Sequence, residues 1–489
     1  YNKSILFFYW ITDMAMNLKD LSDSDRKSIK SWYYYDWANS AHSTSVMVAI
    51  APVYFVSLYE NIFGINGYSL SGFALTADNL WSIAISLSTL IVSFASPILA
   101  VIADKTPTKL LFLKIFTIIG CIATFLMFFT PYVGTGWLFL LISITISVIG
   151  FAGAWTFANS FLPHLAPKKY LDEISSKGFA YGYIGGGLLL AIHLAIITIT
   201  DSSEFFIQLS LASVAIWWFG FSLITFKNLK EPEISTTEKI QFNIGIVAIA
   251  FTQLKSTLSD IGRYKMLFMY LVIYLLFNDG IQTVLSIAGV YGAATLGVDL
   301  VFNMATILIV QLIAAPGALF FNKLAIIYSS KKALMISLIG WIIIVILAMG
   351  FAPLDDTGDY AIKSGLFSWW PEFIRSIIWI PLGLSVNYQW LILGCMVGIV
   401  MGGSQAIARS IFAVMTPVKQ SAEFFSFLGF MSRGATVLGP LLYAIVAGYF
   451  GARTGIFSVL IFLVAGTIGM QLFIDVNKGI KQATSNLRK

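Results

Sequence analysis

The sequence predicts an all-α polytopic membrane protein with twelve transmembrane helices. Hydrophobic residues make up 58% of the 489 positions and charged residues only 11%, whereas soluble domains carry about 25% charged residues. The mean hydropathy of +0.84 is too high for a soluble globular protein with an ordinary hydrophobic core. Apolar runs of about 20 residues, the length that a helix needs to cross a bilayer, recur along the chain. The predicted spans are 33–59, 77–103, 109–130, 137–161, 176–200, 205–226, 264–291, 299–323, 331–351, 389–411, 421–447 and 454–474.

The longest internal polar stretch divides these spans six and six. The predicted organisation is therefore an N-terminal segment (1–31), a first six-helix bundle (32–226), a linker (227–263), a second six-helix bundle (264–475) and a C-terminal tail (476–489). Met14 and Met16 are natural start positions, so we leave the preceding residues out of the fold prediction and expect residues 1–15 to be an artefact. We expect a monomer.

Lysine and arginine lie in every second loop, and acids predominate in the loops between. This asymmetry predicts that both termini are cytoplasmic, and it explains the net charge of +6 without any nucleic-acid partner. The segment 366–384 is difficult to assign. Pro371, Glu372 and Arg375 disfavour a transmembrane helix, whereas the tryptophans of the segment are typical of the headgroup region. We expect an interfacial helix on the outer face. The alternative, a thirteenth span, would invert every later loop.

The polar stretch at the start of the first span organises the chain. Asp36 is followed at helical spacing by Asn39, Ser40 and Ser43, which places a carboxylate and three hydrogen-bonding side chains on one face of a helix. Such a face should meet protein or a water-filled cavity rather than lipid. Arg409 ends the tenth span on the same side of the membrane and is the expected partner of Asp36. The pair would latch a cytoplasmic gate, or it would only anchor the helices at the interface.

Two charged residues lie deep in the second half. Asp279 is 14 residues into the seventh span and Arg433 about 12 residues into the eleventh, which corresponds to depths of roughly 21 and 18 Å. We expect the two to meet as a buried pair. In a functional interpretation Arg433 binds a substrate carboxylate, and Asp279 is its counter-ion or carries a coupling proton. In the alternative the pair only fixes packing. Polar neighbours of Asp279 on the same helix are Asn278, Gln282 and Thr283.

The sequence contains no motif that indicates a catalytic site or a metal site. There is no nucleophile–base arrangement, no metal-ligand spacing and no G-x-x-x-x-G-K-[ST] loop. Cys121 and Cys395 lie inside apolar runs and are expected to be packing residues. We therefore expect no catalytic site, no cofactor and no metal.

Several short motifs, taken together in their order, resemble the major facilitator superfamily. Within it they resemble the family of the yeast vacuolar amino-acid effluxer, an autophagy-related group with many bacterial members. The motifs are Y-D-W-A-N-S at Tyr35–Ser40, P-x-Y-F at Pro52–Phe55, Asn159 with Leu162 and Pro163, G-F-A-Y-G-Y-I-G-G at Gly178–Gly186, N-D-G-x-x-T at Asn278–Thr283, G-G-S-Q-A-I-A-R-S at Gly402–Ser410, and Glu423-Phe-Phe with Arg433 and Leu438–Pro440.

The resemblance implies a major facilitator fold and secondary active transport of an amino acid or similar small polar solute by alternating access. It implies that Asn159, Gln405 and Arg409 line a central cavity together with the polar face of the first helix. It also implies that Asp104, in the loop after the second helix, takes part in gating. A proton or another ion would drive transport. Alternatives are an exporter of another small molecule, such as a drug, a metabolite or a siderophore-like compound, and a non-transporting receptor or scaffold. A prokaryotic plasma membrane is expected, with a vacuolar membrane as the alternative.

Overall fold

Twelve helices of this chain are long and apolar enough to cross a membrane. The computed structural model describes residues 18–64, 68–70, 73–75, 77–201, 203–232, 245–259, 261–292, 296–298, 300–352, 369–435 and 438–484. The predicted number of spans and the all-α class are confirmed. A minimal antiparallel hairpin, Tyr68–Leu70 with Phe73–Leu75, lies between the first two spans.

The spans are numbered 1 to 12 in chain order, and we call spans 1–6 the first half and spans 7–12 the second half. Their helices are Asp23–Ala41, His42–Ile50 and Ala51–Phe63 (span 1), Ala77–Lys105 (2), Lys109–Leu126 and Met127–Tyr132 (3), Gly136–Ser160 and Leu162–Leu165 (4), Lys168–Tyr170 and Leu171–Ile199 (5), Glu204–Asn228 (6), Lys265–Val290 (7), Leu300–Tyr328 (8), Ser330–Met349 (9), Val386–Met415 (10), Val418–Gln420, Ser421–Gly434 and Leu438–Phe450 (11), and Ala452–Ser458 and Leu460–Phe473 (12).

Several helices extend past their predicted limits because local caps and short loops set their ends. Span 1 begins at Asp23, ten residues before the predicted start of its apolar run, since the Ser22 hydroxyl accepts a hydrogen bond from the Asp25 amide at 3.1 Å. Acids in a first helical turn also interact favourably with the helix dipole. Span 8 runs on to Tyr328, so Lys323 lies within the helix and not in the predicted loop.

Two spans depart from a continuous α-helix. In span 1 the segment His42–Ile50 is a π-helix, which includes Ser43, the last residue of the polar stretch. In span 11 the helix ends at Gly434 and a second piece starts at Leu438. π-Segments and broken membrane helices are common at functional sites, because their backbone groups need partners other than the regular helical ones.

Helical segments outside the spans occupy the N-terminal segment, the predicted linker, the segment before span 10 and the tail. They are Leu18–Asp20, Gly245–Ser259, Trp369–Ile374, Arg375–Trp379, Ile380–Leu382 and Val476–Thr484. The segment before span 10 is too short to cross a membrane, and it is not among the twelve candidate spans of the described residues. Trp379 is buried and donates to the Leu347 carbonyl at 3.0 Å, so this tryptophan packs against the end of span 9. Residues 366–368 of the predicted interfacial segment lie outside the described residues.

The two halves meet along an interface to which each half contributes three spans. Span 5 packs against spans 8 and 10, and span 11 packs against spans 2 and 4. We call the end of the molecule that carries Lys105, Lys168 and Lys419 the basic end. The polar contacts described next lie mostly there.

Candidate functional site

Arg409, near the basic end of span 10, is held by residues of the first half. Its side chain is 4% exposed, and both terminal nitrogens donate to Oδ2 of Asp36 at 3.1 Å. One of them also donates to Oδ1 of Asn159 at 2.9 Å, while Nε donates to the Ser175 hydroxyl at 2.9 Å. The structure therefore forms the predicted pair between Asp36 and Arg409 and brings Asn159 into it. Ser175 was not predicted.

Aromatic rings and a glycine complete this pocket. The Arg409 guanidinium lies 4.7 Å from the ring centre of Trp32 and 4.0 Å from that of Phe179, distances at which cation–π attraction contributes. A Cβ on Gly178 would lie 2.6 Å from Oδ2 of Asp36 and 2.7 Å from the Trp32 ring. The first glycine of the G-F-A-Y-G-Y-I-G-G motif thus leaves the space in which the ion pair sits. We call Arg409 and its first-half partners the Arg409 clamp.

Asp104 forms a second link between the halves at the basic end. Its carboxylate accepts from the Ala422 and Glu423 amides at 3.1 and 2.8 Å, which caps the first turn of the helix Ser421–Gly434. Lys109 lies 2.8 Å from Oδ1 of Asp104 and donates to the Ser421 hydroxyl at 2.6 Å. A carboxylate at a helix N-terminus is stabilised by the unpaired amides and by the helix dipole. Asp104, the predicted gating acid, is therefore placed to bind the second half.

Two further acids at this end were not predicted as site residues. Asp172 accepts from the Ser330 hydroxyl at 2.6 Å and from the Ser410 hydroxyl, both in the second half. Glu231 accepts from the Lys109 and Leu110 amides at 2.8 and 2.7 Å and so caps the start of span 3. Burial raises the pKa of the Glu231 carboxyl, although these two amide donors oppose the shift. Asp172 lies in the first turn of span 5, and this position is the feature of the sequence that could have identified it as a site residue.

Asp279 is buried in the second half and is bound to the broken span. The residue is 1% exposed, and its Oδ1 accepts a hydrogen bond from the Gly439 amide at 3.0 Å. Its other oxygen, Oδ2, is buried without a hydrogen-bond partner in the described part of the chain. Gly439 lies in the first turn of the helix Leu438–Phe450, so Asp279 caps the second piece of span 11. The Thr283 hydroxyl donates to the Asp279 carbonyl at 2.6 Å.

Arg433 does not meet Asp279, which corrects the expectation of a buried pair. Arg433 lies in the last turn before the break in span 11, and its Nε donates to the Ser93 hydroxyl of span 2 at 2.9 Å. None of the ion pairs formed by described residues joins it to Asp279. The break explains the error, because the depth estimate assumed one continuous helix. Arg433 precedes the break and reaches the first half, whereas Asp279 binds the piece after it.

The remaining predicted site residues lie on spans 1, 7 and 10. Asn278 is buried, with Oδ1 3.5 Å from Nε2 of the half-buried Gln282. Asn39 is buried on span 1, and Gln405 is half-buried on span 10, one turn before Arg409. Within the described residues, no group of three His, Cys, Asp or Glu side chains could hold a metal ion.

Comparisons with known proteins identify the family. The family model described as "Vacuole effluxer Atg22 like" matches residues 24–484. An uncharacterized MFS-type transporter, YxiO, from Bacillus subtilis (strain 168) is 29% identical over 449 residues, which cover 90% of this chain and 94% of that protein. Autophagy-related protein 22 of Vanderwaltozyma polyspora is 23% identical over 531 residues, covering 97% of this chain and 96% of that protein. Longer fungal relatives named autophagy-related protein 22-1 are matched over about half of their length.

Solved structures identify the fold. The proton:xylose symporter XylE, bound to 6-bromo-6-deoxy-D-glucose, superposes with a TM-score of 0.63 at 14% identity, covering 95% of this chain and 98% of the other. Its likeness supports the fold alone. Both the fold and the family are those of transporters rather than of enzymes. The chain therefore belongs to the Atg22-like family of the major facilitator superfamily and is a multi-pass integral membrane transporter.

Proposed function

We propose that this transporter moves a small polar solute, with an amino acid favoured, by alternating access driven by a proton or another ion gradient. The main support for the proposal is the position of the hydrogen bonds that join the two halves. Among the described residues, every hydrogen bond between the first and second half lies at the basic end, apart from the bond of Arg433 to Ser93. A carrier closed at one end requires this arrangement, and rocking of the halves would break these contacts.

The solute site that we propose lies between Arg433 and the break in span 11. A guanidinium presents a planar fork that matches the two oxygens of a carboxylate, and Arg433 lies deep in its span with a neutral hydroxyl, that of Ser93, as a partner in the opposite half. An amino-acid carboxylate would replace this neutral contact with a charge-assisted one. Asn39, Gln282 and Gln405 would supply hydrogen bonds from the helices around it, whereas Asn159 is held in the Arg409 clamp.

Asp279 is the coupling group in this proposal. Ionisable residues inside a membrane are costly, and they are commonly found on substrate and proton pathways. Oδ1 is held by the Gly439 amide, while Oδ2 has no hydrogen-bond partner among the described residues. Protonation at Oδ2 would neutralise a buried charge at the start of the second piece of span 11. The proton would therefore act on the same broken helix that carries Arg433.

We place the basic end in the cytoplasm, because loops rich in lysine remain on that side. A prokaryotic plasma membrane is the favoured location, with the vacuolar membrane as the alternative suggested by the names of the fungal relatives. In this orientation the arrangement is an outward-facing one, with the Arg409 clamp and Asp104 closing the cytoplasmic end.

The test is transport by the purified protein in proteoliposomes. Labelled amino acids are offered one at a time, with and without an imposed pH gradient, and uptake is compared with protein-free vesicles. Arg433→Gln should raise the half-saturating concentration of the transported solute roughly tenfold to hundredfold, since hydrogen bonds to charged groups are worth about 1.5–3 kcal/mol. The matched control is Arg453→Gln, because Arg453 donates to the Met349 and Phe351 carbonyls within the second half.

Two results would overturn parts of the proposal. Absence of flux for every amino acid, with flux for another small molecule, would leave the carrier and remove the amino-acid assignment. Absence of any flux, together with protection of a single cysteine at Gln282 from aqueous reagents under all conditions, would favour a receptor or scaffold.

A further inference from the structure

A groove at the basic end opens between span 1, span 5 and span 8, and its lining includes none of the residues of the clamp or of the proposed solute site. Its volume is about 410 Å³, and its walls come from both halves, with Leu319 contributed by span 8. The groove lies at the start of span 1, and along span 5 it extends from Lys177 to Ile184, a distance of roughly 10 Å along a helix axis. It therefore spans the depth between a membrane surface and the upper part of the acyl chains.

Three cations line the groove: Arg26, Lys30 and Lys177. Arg26 is paired with Asp23, and Lys177 lies 2.5 Å from Oε1 of Glu173. Lys30 is exposed and forms no ion pair with any described residue. The groove thus keeps a net positive charge after its internal pairs are counted, and it favours an anion.

Tyr33 provides an unsatisfied donor in the same groove. The residue is 5% exposed, and its hydroxyl is buried without a hydrogen-bond partner among the described residues. A buried hydroxyl left without a partner is uncommon in native structures, because it loses its hydrogen bonds to water and gains none. A phosphate oxygen entering the groove would accept the hydrogen bond of this hydroxyl.

Below the cations the groove is apolar and open to the surrounding lipid. Ile29, Ala180, Ile184 and Leu319 form its walls, and Ile184 is 43% exposed on a surface that faces the membrane. A small soluble anion would use the cations but would leave these apolar walls uncovered. An acyl chain attached to the anion would cover them.

We propose that this groove binds the headgroup and upper acyl chain of an anionic phospholipid. The phosphate would lie between Lys30 and Lys177 and accept from Tyr33, while Ile184 and Leu319 contact the chain. Basic pockets between membrane helices suit such headgroups, and each nearby lysine or arginine strengthens anionic-lipid binding by about fivefold. Because the walls belong to both halves, the lipid would bridge them at the basic end.

The experiment is native mass spectrometry of the purified full-length protein in detergent, with phosphatidylglycerol or phosphatidylcholine of identical acyl chains. The intact protein should retain phosphatidylglycerol in preference to phosphatidylcholine. Lys30→Ala should lower that preference about fivefold, and Tyr33→Phe, which removes a single oxygen, should lower it a few-fold. Lys265→Ala is the matched control, because Lys265 is an exposed cation at the start of span 7, outside the groove.

Two outcomes would overturn the proposal. The first is an unchanged lipid preference in both Lys30→Ala and Tyr33→Phe, with both variants eluting as the intact protein does in size-exclusion chromatography. The second is full displacement of phosphatidylglycerol by millimolar sn-glycerol 3-phosphate, which would assign the groove to a soluble phosphate ester. Persistence of the bound lipid under that competition supports the proposed occupant.

Discussion

Replacing Arg409 with glutamine is expected to open the basic end of the protein. All the partners that we describe for the Arg409 side chain belong to the first half, whereas Arg409 itself belongs to the second. The interactions therefore exist only while the halves are in contact. In a state open at this end, water would solvate Asp36 and the guanidinium separately. Removing the arginine consequently destabilises the closed state alone.

The size of the effect follows from the burial of the pair. The side chains of Arg409 and Asp36 are 4% and 14% exposed, and removing one partner of a buried ion pair costs about 3–5 kcal/mol. Glutamine can retain one hydrogen bond to Asn159 or Ser175, which favours the lower limit. About 3 kcal/mol corresponds to a change of roughly 150-fold in the ratio of closed to open molecules. Asp36→Asn should act in the same direction, because it leaves Arg409 buried without its counter-ion.

Distances between spin labels measured by pulsed electron paramagnetic resonance report this ratio directly. Lys169→Cys and Lys419→Cys place labels on exposed positions in the short first helices of spans 5 and 11, one in each half at the basic end. Cys121→Ser and Cys395→Ser first remove the native thiols. The matched control is Arg375→Gln. Arg375 is 1% exposed, and its partners Glu372 and the Phe351 carbonyl lie within the second half, so its loss should lower stability without separating the halves.

The reasoning would be refuted by a distance distribution in Arg409→Gln that matches the unsubstituted protein. It would also fail if Arg375→Gln produced the same lengthening, because the change would then reflect general loosening. Lengthening in both Arg409→Gln and Asp36→Asn, but not in the control, is the expected result.

Three other substitutions test separate parts of the molecule. Asp279→Asn should abolish proton-driven accumulation in proteoliposomes and leave solute exchange intact, since the amide oxygen can still accept from Gly439; accumulation at the original rate would assign Asp279 to packing. Gly178→Ala puts a methyl group 2.6 Å from Oδ2 of Asp36, so the closed state should lose about 1–3 kcal/mol; an unchanged label distance would contradict this. Burial raises the pKa of the Glu231 carboxyl above its ordinary 4.5, because the folded protein favours the protonated, neutral form. The contribution of Glu231 to the free energy of unfolding is therefore present below pH 4.5 and is lost as the pH rises through the raised pKa. Glu231→Gln should flatten that part of the pH profile of thermal unfolding, and an unaltered profile would exclude the assignment.

Residues near the ends of spans were the most predictable part of the site. The partner of Asp36 could be named from the sequence because each residue lies about one turn from a loop, and the charge pattern places both loops on one side. Few arginines satisfy that condition, so Arg409 was selected with little geometric detail. The number of spans was predictable for a similar reason, since length and hydropathy alone define a helix that can cross a bilayer.

Residues whose partners are backbone atoms were not predictable. Asp104 and Asp279 both accept from main-chain amides, at Glu423 and at Gly439, and no side-chain pattern identifies an amide as a partner. The break between Gly434 and Leu438 had the largest effect. Counting residues from the membrane surface placed Asp279 and Arg433 at similar depths, but depth does not determine which way a side chain points once a helix is interrupted.

The break also connects the proposed solute site to the movement of the halves. Arg433 precedes the break and contacts Ser93 of the first half, while Gly439 follows it and is held by Asp279 of the second half. A solute carboxylate bound to Arg433 would take the place of the one hydrogen bond that described residues form between the halves away from the basic end. Only a ligand that interacts differently with two conformations can shift their equilibrium. On the proposed mechanism, a solute at this position satisfies that requirement, because its carboxylate lies where one half meets the other.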